Sequence, residues 1–529
     1  MKRWLVAGAV VTAAAGLVVA RAGVRWWRLG EAREACERCD KTPSSQSPVG
    51  ISPDYRDVVI PRNIAPLNFT VLEPGVQYYV RVCAPPSSNV AETRSDSPTI
   101  QLPPADWRAV LDDAAVLRKP LLITVVVQRA SGEWRWDQFT LTVAEEPIDP
   151  YLVNRVIPPL YNYWAEIEIR QRNLESFEER TVLHNRMAED ACVNCHSFRG
   201  NHPDRMTLGI RSGTVGSSTV LVRDGEVEKV GTKFGYTAWH PSGLVAAYSA
   251  NEVRQFFHWA GAEVRDVVDL DSGIAYYDLR TQTAKTTPGL SDDGRLETYP
   301  TWSPDGKWLY FCSAAFPWQN RRQVPPENFD QCRYDLRRIS YDVAADRWGT
   351  AQTVLRAEAL GKSLLLPRVS PDGRWVLLCA SDYGCFPIFQ PSSDLHLLDL
   401  RTGAHRPVDA LNSPRSESWH SWSSNGRWVA FSSKRRDGLF TRTYLSYVDA
   451  AGTFHKPFVV PQKDPTAHDA YLKTYTVPEL LTEPVPVRSQ QLAQAIVDPT
   501  QIKVDSPITF GAAPGGAGKA EAAWRLGRR

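Results

Sequence analysis

The segment Cys192-Val193-Asn194-Cys195-His196 sets two thiols three residues apart, with an imidazole directly behind the second. Thiols at that spacing reach the two vinyl groups of one porphyrin as thioethers, and the next residue is then held under the iron. The pattern predicts one covalent haem c on Cys192 and Cys195, with His196 as the proximal iron ligand. A zinc site would need a second ligand pair at suitable spacing, and none lies near. A redox dithiol would need a thioredoxin-like βαβ setting, which the flanking residues do not offer.

A second axial ligand is open to four neighbours. Met206 stands ten residues past His196 and Met187 five before Cys192, with His184 and His202 equally close. Met206 is the leading candidate, because a thioether partner raises the potential into an electron-transfer range, and His202 is the second. The plain alternative for Met206 is core packing beside Leu208 and Ile210. Cys36-Glu37-Arg38-Cys39 is followed by Asp40, so it is not a second attachment site of this kind; a disulfide in a linker is the expectation there.

The elements that position this motif follow from composition and repeats. The chain has 529 residues, and Lys plus Arg against Asp plus Glu, 61 − 59, leaves a net charge of +2. No broad basic field of the kind that grips a phosphate backbone is present, so no nucleic-acid partner is expected. Trp numbers 18 and Met only 3, a balance that suits rigid β-structure with a recurring aromatic position. Lys2 and Arg3 precede an uncharged apolar run over 4–20, after which Arg21, Arg25 and Arg28 surround two tryptophans. Residues 1–30 therefore read as an export signal, an uncleaved anchor or a signal peptide, and 31–52 as a polar linker. Residues 53–150 read as a small β-sandwich-like domain, with strands over 68–72, 77–83, 98–102, 121–128 and 133–143 and a helix over 106–117.

Downstream, four segments align without gaps: Ala238 to Gly243, Thr301 to Gly306, Arg368 to Gly373 and Ser421 to Gly426. Two carry Pro-Asp-Gly, a turn in which proline presets one dihedral and glycine accepts a positive one. In the last three units a basic residue and a tryptophan follow the glycine and open an apolar strand. Each unit is strand, turn, strand and a second hairpin, the pattern of a four-stranded propeller blade. Two further hairpins, over 165–183 and 217–230, lie upstream. Closing the ring requires the first of these to share a blade with C-terminal strands near 471–476, and six blades result. The propeller is placed at 151–484, with an extension and a disordered tail over 485–529.

The Trp302 to Gly306 and Val369 to Gly373 turns resemble the TolB-like family of β-propeller repeats, which implies blades around a central channel and no particular activity. With the Cys-x-x-Cys-His motif ahead of them, the chain resembles exported proteins that carry a single haem motif before such repeats. Covalent attachment of this kind belongs to the periplasmic side of the membrane. Only 21 residues separate His196 from the hairpin at Ser217, too few for an all-helical cytochrome domain, so the motif is expected in the propeller, at the turn position of its first blade. If the haem lies over the channel mouth, His240, His258, His420 and His468 also come within reach. Cys312 with Cys332 and Cys379 with Cys385 are expected as disulfides, and Cys83 as a buried thiol.

The sequence holds no nucleophile elbow, no phosphate-binding glycine loop and no His-Glu-x-x-His pair. One haem without a second cofactor motif leads to a membrane-anchored periplasmic electron carrier with a redox protein partner. The alternatives are a peroxidase-like enzyme with an open iron position and a propeller binding module with ancillary haem.

Overall fold

The computed structural model describes residues 48–158, 166–257, 263–320 and 323–508. The anchor expected at 1–30, Cys36, Cys39, His258 and the end of the tail lie outside the described residues. No helix among the described residues is long and apolar enough to cross a membrane.

The chain forms two compact units. The first runs to Glu145 and takes in Pro461–Tyr471 as well. It is sandwich-like, with a five-stranded sheet in the order Val59–Pro61, Trp134–Ala144, Leu121–Gln128, Gln77–Cys83, Val90–Ser95 and a three-stranded sheet of Ile51–Ser52, Phe69–Val71 and Thr99–Ile100. The helix Pro104–Leu117 buries Trp107, Val110, Leu111 and Ala114, the spacing of one helical face. It begins two residues earlier than the apolar pattern implies, because Pro104 is preset for the first turn. The return of the late segment is a feature absent from the sequence reading. The Asn68 amide donates to the carbonyls of Gln462 (3.3 Å) and Lys463 (2.9 Å), and so holds it.

The second unit is a six-bladed β-propeller. Blades 1 to 6 begin with the innermost strands Cys192–Arg199, Thr237–Trp239, Arg295–Trp302, Ser363–Val369, Glu417–Trp422 and Thr474–Leu481. Each leads an antiparallel sheet, and the innermost strands neighbour one another in order, with blade 6 returning to blade 1. Blade 6 is the shared one: Thr474–Leu481 pairs with Tyr151–Ile157, followed outward by Glu168–Asn173 and Glu179–His184. Closure leaves no open inner edge to pair with another chain.

The repeat residues explain the ring. In blade 3 the Ser303 hydroxyl donates to Asp305 at 2.6 Å and accepts from the Trp308 amide at 3.0 Å, while Gly306 takes φ +70°. The Trp302 indole donates to the Ala238 carbonyl of blade 2 at 3.1 Å, and Trp422 does the same to Arg368 of blade 4 at 3.1 Å. The recurring tryptophan is thus an inter-blade staple as well as core.

Cys312, Cys332, Cys379 and Cys385 are buried, and no bond joins Cys312 to Cys332 or Cys379 to Cys385, which corrects the two disulfides expected within units. Cys312 and Cys379 sit at matching positions of strands in blades 3 and 4, whereas Cys332 and Cys385 lie on loops. Cys312 and Cys379 each stand four residues after a strand-opening tryptophan, Trp308 and Trp375, so their matching places reflect the repeat rather than a bond.

Candidate functional site

The motif does not occupy a turn. Cys192–Arg199 is the innermost strand of blade 1, and its turn is made by Gly200 (φ +53°) and Asn201 (φ +70°). Cys192, Val193 and Asn194 pair in register with Arg211, Ile210 and Gly209; the register then slips and resumes at Ser197 opposite Thr207. Cys195 and His196 are the two residues inside that irregularity. A regular strand aims residues three apart at opposite faces, and an extra residue of this sort re-aims the chain.

The same slip recurs around the ring. It falls at Tyr299-Pro300 in blade 3, Leu366-Pro367 in blade 4, Trp419 in blade 5 and Val477-Pro478 in blade 6. In these four the first residue has positive φ, between 41° and 54°, a conformation that costs a side chain about 1–3 kcal/mol. The four side chains share one apolar cluster, with Tyr236 packed against it, and that packing holds the strained backbone. Tyr236 and Tyr299 lie 4.3 Å apart between ring centroids, and Tyr236 and Trp419 5.7 Å. By register Cys195 takes the corresponding place in blade 1. Proline stands at the following position in blades 3, 4 and 6, where it has no N–H to give the ladder; histidine stands there in blade 5, with His420 pairing with Phe431, and in blade 1 His196 falls inside the break.

These two histidines make an internal comparison. His420 is buried, with Nε2 2.9 Å from the Leu377 carbonyl and Nδ1 3.8 Å from the Cys379 sulfur. His196 is equally buried, and neither ring nitrogen has a partner in hydrogen-bond geometry, although the Val477 main chain is close enough to favour its protonated form. Burial is the main cause that pushes both imidazoles down to about 3, so both are neutral at physiological pH. For His196 the charges of Arg155 and Arg368 add to that effect, opposed by the Val477 main chain. A buried, unprotonated imidazole with free nitrogens is an unusual expense for a fold, and it is the donor that iron requires. Phe198 meets its ring edge-to-face at 5.9 Å.

Cys192 is a free thiol, 2% exposed. Asn194 donates to its sulfur at 3.0 Å, and Arg155 in turn donates to the Asn194 oxygen and, through Nε, to Thr476 at 3.1 Å. A side chain of blade 6 therefore holds the motif's second variable residue. Arg155 escaped the sequence reading because its strand was not recognised; Asn194 stood in plain view as a spacer. Arg368 pairs with the buried Glu479, whose carboxyl burial pushes upward.

The other candidates are dispersed. Met206 pairs opposite Phe198 on the adjacent strand and is fully buried in the blade core with Leu208 and Ile210. His202 is exposed beside the turn, its Nδ1 3.1 Å from the Thr482 hydroxyl. Met187 is 40% exposed, and His184 accepts from the Arg186 amide at 3.2 Å. His240 is structural: Nε2 lies 3.1 Å from the Gly306 carbonyl and Nδ1 2.7 Å from Ser242. His468 belongs to the first unit. Among the described residues no group of three or more His, Cys, Asp or Glu is placed to hold a bare metal ion. A porphyrin iron asks less of the protein, since four of its ligands are the macrocycle's own. The donor set of one orphaned histidine and a free motif thiol fits that demand.

No protein-family model matches the chain, and no curated protein matches it. Among solved structures, hydrazine synthase of Kuenenia stuttgartiensis is 13% identical, with a TM-score of 0.28 over 47% of this chain and 61% of that one. The chain thus spans about three fifths of that protein's length. The β-propeller domain of the Trilobed protease from Pyrococcus furiosus is 10% identical, with a TM-score of 0.29 over 61% of this chain and 78% of that one. An oligogalacturonate lyase is 11% identical, with a TM-score of 0.30 over 63% and 86%. None reaches a TM-score of 0.5, so the propeller rests on its own strand pairing.

Proposed function

We propose that the chain is an exported monohaem c-type cytochrome built on a TolB-like propeller, held on the periplasmic side of the membrane through its N-terminus. It exchanges single electrons with a redox protein partner. Cys192 and Cys195 carry the porphyrin and His196 is the axial ligand. The observation that supports this reading is the contrast between two buried histidines of matching inner strands: the ring nitrogens of His420 meet the Leu377 carbonyl and the Cys379 sulfur, and those of His196 have no partner in hydrogen-bond geometry. Once bound, the haem supplies a one-electron couple. The protein keeps His196 neutral, orients the Cys192 thiol through Asn194 and Arg155, and surrounds the site with packed side chains.

A second reading is favoured by Met206. Its side chain is committed to the blade core, so an iron held by His196 would keep an open position and bind small ligands, as a peroxidase-like enzyme does. Expression with cytochrome c maturation machinery separates the outcomes. Covalent haem that survives acid–acetone extraction is expected, and Cys192→Ser with Cys195→Ser should abolish it; retention of haem in the double variant overturns the site. Ferrous protein that resists carbon monoxide, and yields to it in Met206→Ala, supports the carrier. Ready binding by the unaltered protein favours the enzyme.

A further inference from the structure

Away from the motif, a small pocket lies where Asp269, Trp318, Cys332, Tyr334, Tyr383 and Cys385 converge. Cys332 sits on the long loop of blade 3, between Trp308–Ala315 and Asp335–Asp342. Cys385 sits on the corresponding loop of blade 4, between Trp375–Ser381 and Asp394–Asp399. The Gly384 amide donates to the Cys332 carbonyl at 2.8 Å, so the two backbones run side by side with one cysteine at the junction and the other one residue beyond it. The Cys385 carbonyl accepts from the Tyr299 hydroxyl at 2.6 Å, and its sulfur lies 3.5 Å from the Val267 carbonyl, which fixes the loop over the cavity.

We propose that Cys332 and Cys385 form a disulfide that clasps blade 3 to blade 4. Cys312 and Cys379 are excluded from it. Cys312 is on a strand in register with Leu336 and Thr298, and Cys379 faces the Glu417 carbonyl at 3.9 Å and His420 at 3.8 Å. The bond forms by exchange with an external disulfide. One thiolate attacks it and releases a thiol, the second thiolate displaces the other half, and the two cysteine protons end on the two thiols released. Burial pushes the Cys332 thiol up to about 12 and holds the Cys385 thiol well above its usual range, so the thiolates needed for exchange are scarce in the folded state. The bond is therefore made while the loops are still open and is shielded afterwards. A link between residues 53 apart bridges two blades that otherwise communicate through side-chain packing and hydrogen bonds.

The claim does not depend on haem, so the full chain is tested by refolding in oxidised and reduced glutathione. Free thiols are then alkylated under denaturing conditions, and the protein is digested with trypsin and chymotrypsin. Cleavage after Tyr383 separates Cys379 from Cys385. The expected product joins the peptide 330–333 to the fragment bearing Cys385, two hydrogens lighter than the separate thiols. Reduction should lower Tm by about 5 °C. That shift should vanish in Cys332→Ala and in Cys385→Ala and persist in Cys312→Ala. Alkylation of both thiols, or a bond from Cys312 to Cys332 or from Cys379 to Cys385, overturns the proposal. Should an alanine variant fail to fold, the peptide map of the unaltered chain decides alone.

Discussion

His196→Leu is the most discriminating perturbation, because the structure assigns it opposite consequences with and without haem. In the haem-free chain neither nitrogen of His196 has a hydrogen bond to lose, and leucine is of similar size. The substitution should therefore change stability at pH 8 by less than about 1 kcal/mol. His420→Leu removes the bond to the Leu377 carbonyl and leaves that carbonyl buried, a cost of about 1–3 kcal/mol at pH 8.

The acid limb carries a second number. The folded imidazole titrates at about 3 and the unfolded one at 6.5. Between those values the unfolded chain holds a proton that the native chain lacks, so stability falls as pH falls. At pH 5 the loss through His196 alone is about 2 kcal/mol relative to pH 8. His420 adds a similar amount, and His196→Leu should remove half of the combined effect. Urea unfolding of the haem-free protein from pH 4.5 to 8 measures both quantities. In the haem-loaded protein the same substitution should strip the axial ligand and shift the Soret band. A loss above about 1 kcal/mol at pH 8 without haem would show that His196 has structural partners, and the argument for ligation would fail.

Three other outcomes follow from named residues. Glu297 is buried and its carboxyl is pushed up to about 8, so the native chain retains a proton that the unfolded chain has released above 4.5. Its contribution falls by up to about 1.4 kcal/mol per pH unit as pH rises through that window, and Glu297→Gln should flatten this part of the stability profile. Gly306 takes φ +70°, and a Cβ there would come 2.4 Å from the His240 ring, whereas Gly403 at φ +73° has nothing within 4 Å. Gly403→Ala should cost about 1 kcal/mol in urea unfolding and Gly306→Ala at least twice that. Because Cys192 is buried in the blade core, purified folded haem-free protein should not acquire covalent haem from added haem and reductant, while co-expressed maturation machinery should succeed; mass spectrometry reads both.

The parts legible in the sequence are those whose chemistry is local. Trp302 to Gly306 announces its turn because proline, aspartate and glycine each act within the turn itself. Cys192 to His196 is legible because both thiols answer to one porphyrin. Counting hairpins reaches blade 6 but not Tyr151–Ile157, nor Arg155 with it, because one of the two strands it pairs with lies more than 300 residues away. The polar strand Val90–Ser95 at a sheet edge shows little apolar alternation to read. The cysteines misled for the opposite reason: repetition produced matching positions that resemble pairing.

Repetition also supplies the strongest argument about the site. Six inner strands present, just ahead of their turns, Tyr236-Thr237, Tyr299-Pro300, Leu366-Pro367, Trp419-His420, Val477-Pro478 and Cys195-His196. The first residues of the other five pairs meet in the apolar cluster. Cysteine stands where the repeat elsewhere favours a large apolar side chain, and histidine stands where it favours a residue with no N–H to pair. Either change alone would be a minor variation on the blade. Together, three residues after Cys192, they exchange bulk for a thiol and a satisfied position for an orphaned imidazole. What the blade-1 pair lacks in bulk and in hydrogen-bond partners is what a covalently attached porphyrin with an axial histidine would provide.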